Sequence, residues 1–269
     1  MKSTSEKITK CIVVSGMKRA ASTLLFNIVR LSVEKIYSNP YFPLFCDSPG
    51  KAFLESKIKM SSDKSIDCTI IHTHNLEESI LMRFNHTFSC YRNPKDALLS
   101  AHRKYYLNKR NSIVFLKEYI SQLTYLSENE EIITRFPYEA LVNNLDNVIV
   151  KVYNLISNKN TNKDVIISIK NELNKIKNRN IMNNKNNSKT KKIDKYIKIL
   201  LSKFGKSDFE NTTDRLHPSH ISSSNYLTDK KFESNVLNNI SIKKLLNLSE
   251  DLYLSLLNKD KYLLIEKNY

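Results

Sequence analysis

The sequence predicts an α/β fold in which a central parallel sheet is flanked by helices. Short apolar runs typical of buried strands alternate with helix-like segments along the first half of the chain. With 269 residues, 41% of them hydrophobic, the chain is also long enough to bury one sizeable core. We therefore expect residues 1–269 to form a single domain.

The predicted elements follow one another in a regular order. Apolar runs predict strands at Lys10–Ser15, Thr69–His72, Thr87–Tyr91 and Ile132–Phe136. Helical spacing of apolar residues predicts helices at Ser22–Tyr37, Pro94–Leu107, Ser112–Glu128, Glu139–Ile156, Lys163–Arg179, Lys191–Phe204 and Asp229–Asn258. In the last helix, one face carries most of the leucines: Leu245, Leu246, Leu248, Leu252, Leu256 and Leu257. The segment Phe42–Ser65 shows little pattern, and we interpret it as a connection placed to cover a site.

The net charge of +16 is concentrated in one segment. Residues 158–206 contain 14 Lys and Arg against 3 acidic residues, together with 11 Asn. This composition favours a basic Lys/Asn-rich insertion that is helical or partly disordered. The alternative is a patch that faces a polyanion, because clustered lysines attract sulfated or phosphorylated polymers. Nucleic acid is not the partner that we expect.

The cellular setting is predicted from what the chain lacks. No apolar run is long enough to span a membrane, and residues 1–10 lack the apolar core of a leader. We therefore expect a soluble cytoplasmic protein with no membrane partner. Cys11, Cys46, Cys68 and Cys90 show no CxxC spacing, which favours buried free thiols over disulfides or a zinc site. No metal is expected.

The loop Ser15–Thr23 is a candidate anion site. It follows the first apolar strand and precedes the first helix, so backbone N–H groups and the positive end of the helix dipole point at one spot. Lys18 and Arg19 add two cations, and Gly16 is one of three glycines in the chain. Aligned with the nucleotide P-loop GxxxxGK[ST], however, the loop has Ser22 where the phosphate-binding lysine belongs. An ATPase or GTPase is therefore disfavoured.

A second cluster lies at Cys90–Ser100, where Arg92 ends a predicted strand and Ser100 lies two turns into the next helix. An arginine can grip two phosphate oxygens there, and a helix hydroxyl supplies a neutral donor. The run Arg92-Asn93-Pro94-Lys95-Asp96 with Ser100 resembles the 3′-phosphate-binding motif of the sulfotransferase family. These enzymes use 3′-phosphoadenosine 5′-phosphosulfate (PAPS) as sulfuryl donor. The resemblance implies the P-loop NTPase-like sulfotransferase fold.

The loop Ser15–Thr23 is similar to the family's 5′-phosphosulfate loop, Pro-Lys-Ser-Gly-Thr-Thr. The similarity places Arg19 at the catalytic Lys/Arg position and Ser22 and Thr23 at the two hydroxyl positions. Two departures are Ala20 for a serine and Ala21 for a glycine that lets the backbone approach the phosphate. The resemblance implies catalytic roles for Arg19, His74 and Lys18. It implies nucleotide contacts from Gly16, Lys18, Arg19, Ala20, Ala21, Ser22, Thr23, Arg92, Ser100, Tyr138, Arg215 and His220.

Further elements carry the resemblance over residues 10–145. The run His72-Thr73-His74-Asn75-Leu76 resembles the family's Lys-Thr-His-Leu segment and implies that His74 is the general base. His72 remains an alternative base, because side chains two apart on a strand share a face. Pro137–Leu141 resembles the Tyr-Glu-Asp-Leu element, which implies that Tyr138 lies near the adenine. Asp214–Ser222 resembles His-containing segments of bacterial relatives and implies lid contacts from Arg215 and His220.

The resemblance implies sulfuryl transfer from PAPS to a hydroxyl or amine of a small-molecule, carbohydrate or other hydroxylated acceptor. Two alternatives stay open from the residues themselves. One is a small-molecule kinase with a degenerate P-loop, which would turn over ATP with magnesium. The other is a non-catalytic polyanion-binding protein that uses the basic segment. The sequence does not identify the acceptor.

Overall fold

The computed structural model describes residues 10–43, 48–82, 84–105, 107–186 and 236–265. Within these ranges the centre is an all-parallel sheet of five strands in the order β2-β3-β1-β4-β5. The strands are β1 (Lys10–Ser15), β2 (Pro40–Tyr41), β3 (Cys68–Thr73), β4 (His86–Tyr91) and β5 (Ile133–Pro137). The predicted α/β class, with a parallel sheet flanked by helices, is confirmed.

Helices cover both faces of the sheet. They are α1 (Ser22–Ile36), α2 (Pro49–Ser62), α3 (Leu76–Leu81), α4 (Pro94–Tyr105), α5 (Lys109–Glu128), α6 (Tyr138–Asn143), α7 (Leu145–Ser157), α8 (Lys163–Asn186) and α9 (Ile240–Lys259). Alternate β1 side chains enter different core clusters, Ile12 and Val14 in the larger one, Cys11 and Val13 in a smaller one with Ala52 of α2. This alternation explains why the strands read as continuous apolar runs.

The strand register brings several strand ends level. Ser15 of β1 lies opposite Thr73 of β3, and Tyr91 of β4 lies opposite Pro137 of β5. The residues that follow these strands therefore emerge side by side at the carboxyl edge of the sheet. The chain runs to β2 and β3 on one side of β1 and then crosses to β4 and β5 on the other. Ligands of open α/β sheets bind where the strand order reverses in this way.

Most predicted elements are confirmed with small shifts of their ends. The long helix predicted at Glu139–Ile156 is wrong in one respect, because Asn144 divides it into α6 and α7. The Asn144 side chain donates to the Leu264 carbonyl at 2.6 Å, and its backbone is not helical. The last predicted helix begins at Ile240, and its predicted first turns at 229–235 lie outside the described residues, as does the predicted helix Lys191–Phe204.

The predicted connection Phe42–Ser65 is wrong over Pro49–Ser62, which forms α2. Ser48 caps this helix by accepting a hydrogen bond from the Lys51 N–H, and Pro49 occupies the first turn. The residues that α2 buries are Pro49, Ala52 and Ser56. A buried face of such small side chains gives no hydrophobic periodicity, which is why the sequence pattern missed the helix.

The first part of the basic segment is built into the fold. Helix α8 lies against α1 and α7 and buries Ile166, Ile169, Leu173 and Ile176. The helix predicted at Lys163–Arg179 is thus confirmed. The part of residues 158–206 beyond Asn186 lies outside the described residues, and the division of the chain into a domain with an insertion stays a prediction.

The predicted free thiols are confirmed for Cys11, Cys68 and Cys90, which are buried and free, while Cys46 lies outside the described residues. Burial raises the pKa of Cys11 and of Cys68 to about 12. These thiols therefore stay protonated and unreactive near neutral pH. Across the described ranges, no helix combines the length and apolar character needed to cross a membrane.

Helix α9 is locked to the sheet through Asp260, the residue that ends it. The buried Asp260 carboxylate accepts from the Arg135 Nε of β5 at 3.1 Å and from the Tyr91 hydroxyl of β4 at 2.9 Å. The leucine face predicted for this helix is confirmed in part: Leu256 is buried, while Leu248 is 51% exposed. The carboxylate thus joins the two edge-side strands to the last helix.

We expect Asp260→Ala to lower the free energy of unfolding by about 3–5 kcal/mol, because it leaves the buried Arg135 guanidinium without its carboxylate. The matched control is Glu130→Ala. Glu130 pairs with the same arginine at 3.4 Å, but its side chain is 48% exposed, so the expected loss is much smaller than that of Asp260→Ala. Urea denaturation measures both. Equal losses would contradict the role of Asp260.

Candidate functional site

The candidate site is centred on the turn that joins β1 to α1. Gly16 lies so close to the start of α1 that a Cβ there would meet the Ser22 Cβ at 2.3 Å and the Cys90 Sγ at 2.9 Å. The Met17 N–H donates to the Cys90 carbonyl at 3.2 Å, which fastens the turn to β4. Glycine is therefore required at position 16 for α1 to begin directly above the sheet edge.

The backbone of this loop is strained at two residues. Arg19 and Ala21 have positive φ angles of 68° and 66°, a region that costs an L-residue about 1–2 kcal/mol. Ala21 is the N-cap of α1 and offers no side-chain cap, and the first turn of α1 has no acidic residue. The helix thus begins without the side-chain acceptor that normally satisfies its N–H groups. Such a terminus favours an anion.

Arg19 and Arg92 meet above this loop. The Arg19 Nε donates to the Ser100 Oγ of α4 at 3.0 Å, and the Arg92 Nη1 donates to the Arg19 carbonyl at 3.4 Å. The three residues, separated by as many as 81 positions in the chain, therefore form one polar cluster. Asn93 caps α4 by accepting from the Lys95 and Asp96 N–H groups, which fixes the helix that carries Ser100.

Arg92 is held from several sides. Its guanidinium carbon lies 4.0 Å from the centroid of the Tyr138 ring, and its carbonyl accepts from the Tyr119 hydroxyl at 3.0 Å. The Arg92 Nε is buried and has no hydrogen-bond partner among the described residues. A buried guanidinium N–H without an acceptor is costly unless a ligand supplies one. The described residues thus leave this N–H of Arg92 unsatisfied.

His74 lies on the other side of the loop, at the end of β3. Its Nδ1 is 2.6 Å from the Gly16 carbonyl oxygen, which can act as an acceptor alone. Nδ1 therefore carries the proton, and the lone pair of the neutral ring is on Nε2. His72 is 4% exposed and stacks on Phe26 at 4.7 Å. The contact with the loop thus favours His74 over His72 as the base.

The remaining predicted site residues differ in how far they are exposed to solvent. Lys18 is exposed and pairs with Glu118 of α5 at 3.5 Å, on the surface beside the loop. Ala20 is buried in the core, and Ser22 and Thr23 are 5% and 7% exposed at the start of α1. Arg215 and His220 lie outside the described residues.

Tyr119 and Tyr253 support the site although neither carried a recognisable sequence signal. Tyr119 contacts Arg92, and Tyr253 of α9 donates to the Glu139 Oε1 at 3.0 Å, beside Tyr138. Glu78 accepts from the Gly50 N–H at 2.8 Å and from the Asn75 side chain at 3.0 Å, so it fastens α2 next to His74. In the part of the chain that the structure describes, no group of three or more His, Cys, Asp or Glu is placed to hold a metal ion.

We expect Ala21→Gly to raise the free energy of unfolding by about 0.5–1 kcal/mol, because glycine adopts the left-handed conformation without steric cost. Part of the gain is offset by the greater freedom of glycine in the unfolded chain. Ala101→Gly, inside α4, is the control and should lose about 1 kcal/mol. Urea denaturation measures both, and a loss in the Ala21→Gly variant would contradict the strained loop.

No protein-family model matches the chain, and no curated protein matches it. The candidate site is the cluster at the carboxyl edge of the sheet that is formed by Arg19, His74, Arg92, Ser100 and Tyr138.

Proposed function

We propose that this protein is a sulfotransferase that moves the sulfuryl group of PAPS to a hydroxyl or amine acceptor, with no metal taking part. The observation that carries the proposal is the meeting of Arg19, Ser100 and Arg92 above one loop, with His74 bonded to the same loop. These are the residues that the sulfotransferase resemblance selects from separate stretches of sequence. The five-stranded parallel sheet is compatible with the sulfotransferase fold.

The residues fit a nucleotide with phosphate groups at both ends of its ribose. Arg92 would bind a 3′-phosphate oxygen through its guanidinium, since no carboxylate of the described ranges forms an ion pair with it. Ser100 can donate its hydroxyl proton to the same phosphate while it accepts from Arg19. The uncapped start of α1 fits the 5′-phosphosulfate, because its N–H groups and dipole favour negative charge.

PAPS supplies the sulfuryl group and, after transfer, leaves as adenosine 3′,5′-bisphosphate. The acceptor oxygen forms the new S–O bond as the bond between sulfur and the bridging oxygen breaks. Arg19 would stabilise the negative charge that develops on that bridging oxygen. His74 would take the acceptor proton on Nε2, the nitrogen that the Gly16 carbonyl leaves with the lone pair. Beyond these two roles, the protein would mainly hold the acceptor and the sulfuryl group in line.

The donor assignment predicts selective nucleotide binding. We expect adenosine 3′,5′-bisphosphate to raise the melting temperature of the protein, and ATP with magnesium to raise it less. Arg92→Ala should weaken binding of the bisphosphate by about tenfold or more, because a charge-assisted hydrogen bond contributes about 1.5–3 kcal/mol. Isothermal titration calorimetry measures the affinities.

The control for this experiment is Arg110→Ala. Arg110 is an exposed arginine at the start of α5, so this change removes one positive charge away from the cluster. It should leave the affinity for the bisphosphate unchanged. Unchanged affinity in Arg92→Ala would overturn the donor assignment, and magnesium-dependent ATP turnover would favour a kinase instead.

The assigned roles of Arg19 and His74 predict different effects on binding and on turnover. His74→Ala should retain bisphosphate affinity within a few-fold, yet lose transfer by about a hundredfold or more, because it removes the base. Arg19→Ala should lose transfer to a similar extent and also weaken bisphosphate binding, because it removes one of the two cations of the cluster. Release of the bisphosphate from PAPS, with water or a phenol as acceptor, is the measurement. His72→Gln is the matched control, and a larger loss in that variant would assign the base to His72.

A further inference from the structure

Tyr138 is placed to act on Arg92. The guanidinium carbon of Arg92 lies over the face of the Tyr138 ring, 4.0 Å from its centroid. A cation at this distance is attracted by the negative face of the ring. The strand register explains the contact, because Tyr91 lies opposite Pro137 and the next residue of each strand emerges beside the other.

Apart from the ring, the described residues give this guanidinium little to hold it. The hydrogen bond from Nη1 to the Arg19 carbonyl is long, at 3.4 Å, and Nε has no partner in the described ranges. No carboxylate of those ranges forms an ion pair with Arg92. The orientation of the planar Arg92 guanidinium therefore depends on the Tyr138 ring, which covers one of its faces.

Tyr138 is itself held in place by α9. Glu139, the next residue, accepts from the Tyr253 hydroxyl at 3.0 Å, and Arg135 of β5 is bound by Asp260 at 3.1 Å. Tyr91, which precedes Arg92, donates to the same Asp260 at 2.9 Å. The backbone on both sides of the cation–π contact is thus anchored to one helix. The pair is preorganised before any ligand arrives.

We infer that Tyr138 is a positioning residue that aims Arg92 at the 3′-phosphate and so determines selectivity for nucleotides that carry one; this inference rests on the proposed function. It differs from what the sequence resemblance implies, namely a tyrosine near the adenine. An adenine contact would act equally on every adenine nucleotide. A ring that supports Arg92 would affect the binding of only those nucleotides that carry a 3′-phosphate.

Two nucleotides that differ by this phosphate test the inference. Calorimetry would compare adenosine 3′,5′-bisphosphate with adenosine 5′-monophosphate on the full chain. Tyr138→Leu removes the aromatic face, and we expect it to weaken bisphosphate binding by about five- to tenfold and to leave monophosphate binding unchanged. Tyr138→Phe keeps the face and loses the hydroxyl, so it should bind both as the wild type does. Tyr138→Met is a second non-aromatic variant, to be used if the leucine variant fails to fold.

Each contrary outcome has a distinct meaning. If the non-aromatic variants lose affinity for both nucleotides equally, or if the phenylalanine variant does, Tyr138 contacts the base and the inference is overturned. If the non-aromatic variants keep the wild-type preference, the inference is overturned while the proposed function stands. If the wild type itself shows no preference for the bisphosphate, the proposed function fails and the inference fails with it.

Discussion

The close approach of Gly16 to Ser22 is the constraint on which the candidate site depends. With no side chain at position 16, α1 can begin so close to the turn that a Cβ on residue 16 would lie 2.3 Å from the Ser22 Cβ. The same turn offers its carbonyl to His74 and leads directly to Arg19, whose carbonyl is reached by Arg92. A histidine, two arginines and a helix terminus therefore meet at one short loop. The strain at Arg19 and Ala21 is the cost of this compact arrangement, and strained backbone of this kind clusters at functional sites.

Helix α9 and the residue that ends it, Asp260, hold the candidate site in place. Asp260 and Tyr253 of the α9 region hold Tyr91, Arg135 and Glu139, which flank the two residues of the cation–π pair. Burial and the nearby Asp260 raise the pKa of the Tyr91 hydroxyl, which therefore remains a donor at every physiological pH. The neutral Tyr91 and the charged Arg135 together satisfy the buried carboxylate. The geometry of the Arg92–Tyr138 pair thus depends on a helix more than 100 residues further along the chain.

The sequence predicts β1, β3, β4 and β5, because buried parallel strands are continuous apolar runs. It misses β2, which has only two residues and both are half-buried. The resemblance to the sulfotransferase family also selects Arg19, His74, Arg92 and Ser100 from separate stretches of the sequence. The sequence does not predict α2, whose buried face consists of small residues, nor the break at Asn144, which depends on a carbonyl from the last turns of the chain. The role of Tyr138 was also out of reach, since the register of β4 against β5 is a property of the folded sheet.

The charges of the loop explain why Lys18 and Arg19 are not equivalent, although they are neighbours. Lys18 is exposed and paired with Glu118, so much of its charge is already compensated at the surface. Arg19 is half-buried and donates to a neutral hydroxyl, and Arg92 has no carboxylate partner in the described ranges. Two guanidinium groups that share a half-buried cluster repel each other, and this repulsion is relieved when an anion binds between them. The arrangement therefore favours a ligand with more than one negative charge, which agrees with a nucleotide phosphorylated at both ends better than with a neutral substrate.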